Sequence, residues 1–533
     1  MPDRYDAILI GAGHNGLVTA ALLSKAGLSV LVLERRKVLG GAAATEELFP
    51  GFRVNSGADD AGLLRPEVIR KLELERNGLE LIESPVLAFA PHLDGPSLSL
   101  WRDPSKSISE IARLSAHDAR RFPDYCRLVQ RLSAVLDGMM TLTPPRLSNT
   151  SLSEIYPWMR LALKLKGLGK REMMEFMRVL PLPVYDFLQE WFESPLLQGL
   201  LGSAGVSGIR FGPRASGTSF LLLYNSLNGG APGGRASRFV RGGVGRLSEI
   251  LARIASKNGA RIRTESNVAR ILIDDEGRAA GVALRSGEEF RARSIVSSAD
   301  PKHTLLKLLG PAQLDPRAMR RVRNIRLQGT TAKLLLALDH LPRFTNSPQG
   351  RDHLMGHIVI APSLNHLERA SDDAKYGRIS QQLILDAVIP TLSDPSLAAE
   401  GKHILSVAAQ HAPYRLKDGS WADQGPVLAD RIIGTLAQYA PGLPECILHQ
   451  RLLTPEDWEL QYGLSEGSIH QGEMGLDQML FMRPMAGCGQ YRSPVDGLYL
   501  CGAGTHPGGG VTGAPGFNAA REVLKDRKKK GAE

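Results

Sequence analysis

The chain has 533 residues, of which 43% are hydrophobic and 23% are charged. This length accommodates two or three domains with a large buried core, and the composition is that of a soluble globular protein. The formal net charge of +10 favours contact with anionic surfaces. Nucleic acid is the poorer interpretation, because no recognition motif is present and the basic residues are dispersed. The exception is a tail at 525–530, which we interpret as a solvated, disordered end.

Cysteine usage and apolar runs bear on the cellular compartment. The four cysteines form no CxxC pair, which argues against a zinc site, a dithiol redox centre or a secreted disulfide scaffold. No set of metal ligands stands out, so no bound metal is expected. The first predicted strand begins at residue 5, which leaves no room for a targeting peptide, and no run of eighteen apolar residues exists. We therefore expect a cytoplasmic protein in which any membrane contact is peripheral.

The first 34 residues have the pattern of a dinucleotide-binding βαβ unit. A predicted strand leads into Gly11, Gly13 and Gly16, and after a helix-like run a second predicted strand ends at Glu34. Gly11 permits the tight turn, Gly13 lets the backbone approach a pyrophosphate, and Gly16 lets the helix pack on the sheet. Glu34 follows Gly11 by 23 residues, near the spacing of a carboxylate that binds ribose hydroxyls. The pattern predicts a dinucleotide site.

The dinucleotide is predicted to be FAD. Gly40-Gly41 offers a second close backbone approach along an extended cofactor. Arg35 and Arg36 could instead bind the 2′-phosphate of NADP, but Glu34 would repel that phosphate. No second strand-GxGxxG-helix unit follows: residues 202–208 carry suitable glycines, but the residues before them do not resemble a strand, so we predict a loop there.

The predicted fold class is α/β, a Rossmann-type FAD-binding domain interrupted by an α+β substrate domain. The chain returns to the FAD domain after residue 234. This part has a glycine turn near 242–245, a helix over 247–257 and strand candidates at 261–263, 268–273, 280–284 and 294–298. We interpret the strands as a meander of hairpins. A buried strand over 497–504, which ends in glycines, and a glycine-rich turn into a helix return it again. Further strands are expected at 332–338, 357–361, 382–388 and 403–408, with a helix over 426–439. The predicted boundaries are 1–75, 235–305 and 485–533 for the FAD domain, 76–234 for a mainly helical part and 306–484 for a mixed part.

Motifs at both ends resemble the phytoene desaturase-like branch of FAD-dependent oxidoreductases with the amine oxidase fold. The nearest resemblance is to the group named for pyridine nucleotide-disulfide oxidoreductase domain-containing protein 2. The motifs are Gly11-Ala12-Gly13-His14-Asn15-Gly16-Leu17, Glu34-Arg35-Arg36, Gly40-Gly41-Ala42-Ala43, Gly475-Leu476-Asp477-Gln478, Arg483-Pro484 and residues 498–511. The resemblance implies a flavoenzyme of lipophilic substrates, and it names no particular one.

The residues expected to bind FAD lie in all three parts of the FAD domain. They are Gly11, Gly13, His14, Asn15, Gly16, Glu34, Arg35, Arg36, Gly40, Gly41, Ala42, Val268, Gly502, Gly504, Gly510 and Val511. Flavin dehydrogenation needs position, a dry site and stabilisation of charge at flavin N1. The backbone N–H groups of the turn at 508–511, predicted to open a helix, suit that last task. His506 is the candidate proton-handling residue; the alternative is a hydrogen-bonding loop histidine.

The segment 156–191 combines Tyr156, Trp158 and several leucines and methionines with basic residues. This mixture suits a helix that lies on an anionic membrane surface. The alternative is a cap that buries its apolar face against a neighbouring element.

The function predicted from the sequence is an FAD-dependent oxidoreductase, a dehydrogenase or desaturase of a hydrophobic small molecule. Without a nicotinamide domain, oxygen or a quinone would reoxidise the flavin. The alternatives are a flavin-dependent double-bond isomerase, a regulatory or interaction flavoprotein, and an amine oxidase. The oligomeric state stays open.

Overall fold

The computed structural model describes residues 4–146, 152–167, 169–229 and 237–530. The helices are α1 (His14–Lys25), α2 (Pro66–Leu72), α3 (Pro104–Ala112), α4 (Ala116–Met139), α5 (Leu152–Gly167), α6 (Lys170–Val179), α7 (Val184–Gln189), α8 (Pro195–Gly205), α9 (Thr218–Asn225), α10 (Gly245–Lys257), α11 (Pro316–Arg323), α12 (Leu364–Lys375), α13 (Trp421–Tyr439), α14 (Leu443–Cys446), α15 (Pro455–Tyr462) and α16 (Ala514–Lys530). The strands are β1 (Tyr5–Ile10), β2 (Val30–Leu33), β3 (Thr45–Phe49), β4 (Phe52–Asn55), β5 (Leu81–Glu83), β6 (Val86–Ala90), β7 (Leu98–Trp101), β8 (Arg238–Val240), β9 (Arg261–Arg263), β10 (Val268–Ile273), β11 (Ala279–Leu284), β12 (Glu289–Ser297), β13 (Thr331–Leu338), β14 (His357–Ile360), β15 (Ile384–Val388), β16 (His403–Gln410), β17 (Ile447–Leu453) and β18 (Leu498–Leu500).

The FAD domain is built on a parallel sheet in the order β9-β2-β1-β12-β18. Its strands come from all three chain segments that the sequence assigns to this domain, and its α/β class is confirmed. Buried aliphatic residues of α1, α10 and α16 pack with those of the sheet in one core. Because β1 and β2 are adjacent and parallel, the residues that follow them meet at one edge, which is where open parallel sheets bind ligands.

The predicted meander of hairpins is correct for three strands and wrong for the fourth. β10, β11 and the first half of β12 form an antiparallel ribbon. β9 instead pairs in parallel with β2. The physical reason is that α10 acts as a crossover, which returns the chain parallel to β2 rather than into a hairpin.

The second large sheet has the order β17-β13-β16-β15-β14-β6-β7. Its strands β13 to β16 and the long helix α13 lie where the sequence predicted them. β6 and β7 come from the segment 76–234, which was predicted to be mainly helical, so that segment also completes this sheet.

A helical cap formed by α4 to α9 covers one face of this sheet and shares an apolar core with it. The predicted loop at 202–208 is wrong over its first four residues, which belong to α8. The glycines there serve close packing: a Cβ at Gly202 would lie 2.5 Å from Leu364 Cδ2, and one at Gly199 would lie 2.0 Å from the Ala361 carbonyl oxygen.

The basic tail is also ordered differently from the prediction. α16 continues to Lys530, and the Lys525 ammonium lies 3.4 Å from a Glu154 carboxylate oxygen. Ion pairs to neighbouring acids hold this helical end on the domain, as Arg527 does with Asp6 at 2.7 Å. No helix in the described parts of the chain is long and apolar enough to cross a membrane.

Candidate cofactor-binding and active site

The glycine turn after β1 has the crowding that its three glycines require. Gly11 has φ +89°, and a Cβ there would lie 2.5 Å from Ser298 Oγ. At Gly16 a Cβ would lie 2.4 Å from the Gly11 carbonyl oxygen. Gly13 differs, because a Cβ would meet nothing within 4 Å, and it is the N-cap of α1 with no side-chain cap. The free N–H groups at this helix end can therefore bind an anionic phosphate.

Glu34 is oriented for a ribose by two backbone groups. The Ala12 N–H donates to its Oε2 and the Arg36 N–H to its Oε1, both at 2.8 Å. The residue is only 5% exposed. Each carboxylate oxygen keeps a further acceptor site for the hydroxyls of a ribose.

The two arginines after Glu34 are engaged elsewhere. The Arg36 guanidinium lies 2.7 Å from a Glu46 carboxylate oxygen and 4.5 Å from the centroid of the Tyr462 ring. Arg35 donates to the Leu460 carbonyl oxygen at 3.3 Å. Both therefore frame the cleft, and the Arg36–Glu46 ion pair weighs against a role in binding the 2′-phosphate of NADP.

A single cleft gathers most of the residues expected to bind FAD. The predicted residues that line it are Gly11, Gly13, His14, Asn15, Glu34, Arg35, Arg36, Gly40, Gly41, Ala42, Val268 and Gly502. Residues that the sequence did not point to also line it, including Ser266, Asn267, Ser298, Ala299, His303, Tyr462 and Gln471. They follow strands or helices that could be predicted, but nothing local in the sequence shows that they face this cleft.

Gln471 joins two walls of the cleft. Its Oε1 accepts from the Gly504 N–H at 3.1 Å, and its Nε2 donates to the Ser298 carbonyl oxygen at 3.0 Å. Gly504 therefore lies behind the lining, where a Cβ would be 2.4 Å from Pro301 Cδ. Its role here is to allow this close approach of segments.

The glycine turn at 508–511 lies beside the cleft, and Gly510 and Val511 do not line it directly. The turn does not open directly into the helix, because two residues, Thr512 and Gly513, separate it from the start of α16 at Ala514. The Tyr224 hydroxyl donates to the Gly509 carbonyl oxygen at 2.8 Å, and the Gly509 N–H points to Met474 Sδ at 3.5 Å. The turn thus contacts Tyr224 of α9 and Met474, which belong to one apolar cluster.

Three buried histidines surround this turn. Burial lowers the pKa of His14, His470 and His506 to about 4, so all three are uncharged at neutral pH. The His14 ring lies against the Gly510 backbone, and a Cβ at Gly509 would lie 2.0 Å from His470 Nδ1. The three rings around the turn are therefore neutral and buried, and the buried guanidinium of Arg483 lies near two of them, His470 and His506.

His506, the candidate proton-handling residue, does not line the cleft. Its Nε2 lies 3.0 Å from the Met139 carbonyl oxygen, which fixes the tautomer with the proton on Nε2. Its Nδ1 is buried and has no hydrogen-bond partner within the described residues. His506 therefore lies two residues before Gly508, and its Nδ1 can accept a hydrogen bond. Its catalytic role stays a prediction.

Lys333 is a buried cation near the cleft that the sequence analysis missed. Its ammonium donates to the carbonyl oxygens of Asn55 and Gly57 and lies 3.0 Å from an Asp59 carboxylate oxygen. Burial lowers the pKa of Lys333, which Asp59 opposes. Gly57 in turn packs on the cleft residue Ala42, whose carbonyl oxygen would lie 2.3 Å from a Cβ at Gly57. The one feature of the sequence that could have revealed this buried cation is a single lysine within the otherwise mainly apolar strand β13.

These features fit one long cofactor. A flavin adenine dinucleotide would be held by Glu34 at its ribose and by the N-terminus of α1 at its pyrophosphate, and it would supply hydride acceptance. Burial raises the pKa of Cys488 and Cys501 to about 12, which disfavours their reactive thiolate forms.

Comparison with known proteins agrees with this site. Residues 130–524 match the family described as flavin containing amine oxidoreductase, and residues 9–59 match the NAD(P)-binding Rossmann-like domain. The chain belongs to the flavin-containing amine oxidoreductase family. As a member of that family, it is an FAD-dependent oxidoreductase.

Two relatives of this flavin-containing amine oxidoreductase are similar over nearly their whole length. Pyridine nucleotide-disulfide oxidoreductase domain-containing protein 2 of Rattus norvegicus is 37% identical, covering 99% of this chain and 94% of the relative. A limonene dehydrogenase component from Castellaniella defragrans is 31% identical, covering 98% and 95%. The crystal structure of an oxidoreductase from Methanosarcina mazei shares the fold, with a TM-score of 0.62, 17% identity and coverage of 98% and 100%. The resemblance inferred from the terminal motifs is confirmed.

Proposed function

We propose that the protein is a dehydrogenase or desaturase of a hydrophobic, isoprenoid-like small molecule, with oxygen or a quinone as electron acceptor. One observation carries this proposal: the glycine turn beside the cofactor cleft contacts the apolar cluster that the cap shares with the second large sheet. Tyr224 and Met474, which contact the turn, belong to the same apolar cluster as the side chains of α4, α8 and α9. A neutral, apolar surrounding favours an uncharged substrate, because an unpaired charge is expensive to bury.

The relatives support the same substrate class. The name of the 31% identical relative assigns it limonene, an isoprenoid hydrocarbon. Dehydrogenation of such a molecule transfers a hydride and releases a proton, and three neutral histidines lie around the turn.

Anaerobic reduction of the flavin tests this proposal. The FAD-loaded protein is mixed with isoprenoid hydrocarbons, and bleaching of the flavin absorbance is followed together with the mass of the product. We expect bleaching and a product that has lost two hydrogens. A product of unchanged mass formed without net bleaching would indicate isomerisation, and bleaching by primary amines alone would indicate an amine oxidase; either contradicts the proposal.

We also infer that the cap docks on an anionic membrane surface. α5 and α6 expose large apolar side chains, with Tyr156, Leu163, Met174 and Met177 each more than 60% exposed. Arg160, Lys170 and Arg171 are exposed on the same two helices. Trp158 is half-buried and donates to the Thr143 carbonyl oxygen at 2.8 Å, so it anchors the cap rather than facing solvent. The side chains of Lys164 and Lys166 lie outside the described residues.

The expected binding free energies are consistent with reversible attachment of the protein to the membrane. Each basic residue near an anionic surface contributes about 1 kcal/mol at low salt, and this contribution falls within a Debye length of about 8 Å at physiological ionic strength. A lipophilic substrate has little free concentration in water, so attachment places the enzyme where its substrate is.

Co-sedimentation with liposomes tests the docking. The protein is expected to pellet with anionic vesicles at low salt, and the double variant Lys170→Glu and Arg171→Glu to lose most of that binding. The matched control is the double variant Arg320→Glu and Arg323→Glu, because these two arginines are also exposed but lie on α11, and the change in net charge is the same. Equal binding by the wild type and the double variant, or no binding by the wild type, would contradict the docking. A dimer in solution that buries the patch would explain the second outcome.

A further inference from the structure

An apolar crevice runs between α4 and α6 of the cap. It has a volume of about 200 Å³. Its walls consist of aliphatic, methionine and aromatic side chains, namely Leu128, Leu132, Val135, Met139, Phe176 and Met177. Arg131 and Glu172 stand at its rim and form an ion pair with each other.

The lining selects an apolar occupant. The two rim charges neutralise each other, and the other lining groups cannot hydrogen-bond a polar ligand strongly. Methionine side chains are flexible and polarisable, so they can close around irregular hydrocarbon surfaces. Met173 and Met177, which line the crevice, are also partly exposed at 40% and 66%, so the crevice opens on the exposed face of the cap.

One end of the crevice is joined by a hydrogen bond to the segment that precedes the glycine turn at 508–511. Met139, the last residue of α4, lines the crevice and accepts from His506 Nε2 at 3.0 Å. The next carbonyl, of Met140, accepts from Asn518 Nδ2 at 3.0 Å on α16. These two bonds fix the end of α4 to the segments on both sides of the glycine turn at 508–511.

We propose that this crevice is the entrance for an extended apolar chain, which enters between α4 and α6 and moves along α4 towards His506 and the flavin. The path from Leu128 to Met139 covers eleven residues of helix, or about 16 Å, which suits an extended hydrocarbon chain better than a compact ring. The inference rests on the proposed function, since it names the form of substrate and its route, and it does not depend on turnover being observed.

The test is binding of the fluorescent polyene cis-parinaric acid to the FAD-loaded full chain, without any vesicle. We expect its emission to rise on binding and to be quenched by the flavin, because the proposed route leads to the flavin. Met177→Asp, which places a charge in the crevice, should weaken binding at least tenfold. Met174→Asp is the matched control, because Met174 is equally exposed on α6 but does not line the crevice.

Equal affinity of the two variants, or no binding by the wild type, would overturn the proposal. FAD content and melting temperature are measured for each variant, and Met177→Ser provides a second crevice variant with no added charge if the first is unstable. If the probe binds as expected but no hydrocarbon ever reduces the flavin, the crevice stands and the proposed function fails, so the two failures are distinguishable.

Discussion

Glu34 shows how one residue links the sequence to the cofactor. Its spacing from Gly11 predicted a ribose-binding carboxylate, and the structure fixes both of its oxygens by backbone N–H groups at 2.8 Å. A carboxylate held in this way is oriented before the ligand arrives, so little conformational entropy is lost on binding. Because a change at Glu34 also removes the acceptor of the Ala12 and Arg36 N–H groups, the melting temperature of the variant is measured beside its FAD affinity.

Glu34→Ala is expected to weaken FAD binding by about 1.5–3 kcal/mol, the range for hydrogen bonds to a charged group. This corresponds to roughly a 10- to 150-fold increase in Kd, measured by titrating apoprotein with FAD. Glu276→Ala, at an exposed turn between β10 and β11, is the control and should leave the Kd unchanged. An unchanged Kd for the Glu34 variant would move the ribose contact to another residue.

Glu473 controls a pH dependence of stability. Burial raises the pKa of its carboxyl to about 7, although Arg210 and Arg326 oppose this shift. The folded state therefore binds the proton more tightly than the unfolded chain does, and stability is lost as pH rises from about 4.5 to about 7. The contribution amounts to roughly 3 kcal/mol at most.

The expected result for Glu473→Gln is a free energy of unfolding that exceeds that of the wild type above pH 7, with a difference that disappears below pH 4.5. Buried histidines such as His411, whose pKa burial lowers to about 4, act in the opposite direction, since they favour the folded state as pH rises to 6.5. Both proteins contain these histidines, so their contribution cancels when the unfolding free energies of variant and wild type, measured by denaturant titration, are subtracted. A difference independent of pH would show that the Glu473 pKa is ordinary.

At the scale of elements, the sequence predicted the strands and helices whose local pattern is strong. β1, β2 and β13 to β16 are mainly apolar runs, and they form as expected. α8 was missed because its glycines, which usually break helices, serve here to bring Ala361 and Leu364 close. The parallel partner of β9 and the place of β6 and β7 could not be predicted, because strand partners are fixed by contacts distant in sequence.

Alanine substitutions at two helical glycines are predicted to have opposite effects on stability. Gly16→Ala should lower the melting temperature and the FAD content of the protein, because the new Cβ would lie 2.4 Å from the Gly11 carbonyl oxygen, and overpacking of this kind costs about 1–3 kcal/mol. Gly434→Ala in α13 should raise stability by about 0.5–1 kcal/mol, since nothing lies within 4 Å of its Cβ position. Thermal unfolding of both variants checks this, and a stabilised Gly16 variant would contradict the packing described for the turn.

At the scale of the whole molecule, buried polar groups tie separated segments into one site. Arg483 is 1% exposed, and its guanidinium donates to the carbonyl oxygens of Ala503, His470 and Glu473. It thereby fixes the segment 470–473 against the end of β18. The sequence showed that Arg483-Pro484 belongs to a recognisable motif, but the three carbonyls that it binds depend on the folded arrangement. The same limit applies to Lys333 and Gln471, whose partners lie far away in the chain.

The central claim is that these separated segments form one site for non-covalently bound FAD. Acid precipitation of the purified protein tests it most directly, with chromatography of the supernatant and a count of flavin per chain. The account predicts a yellow supernatant that contains FAD in a ratio near one per chain and a colourless pellet. A colourless protein that takes up no FAD on reconstitution, or flavin that stays with the pellet, would contradict it.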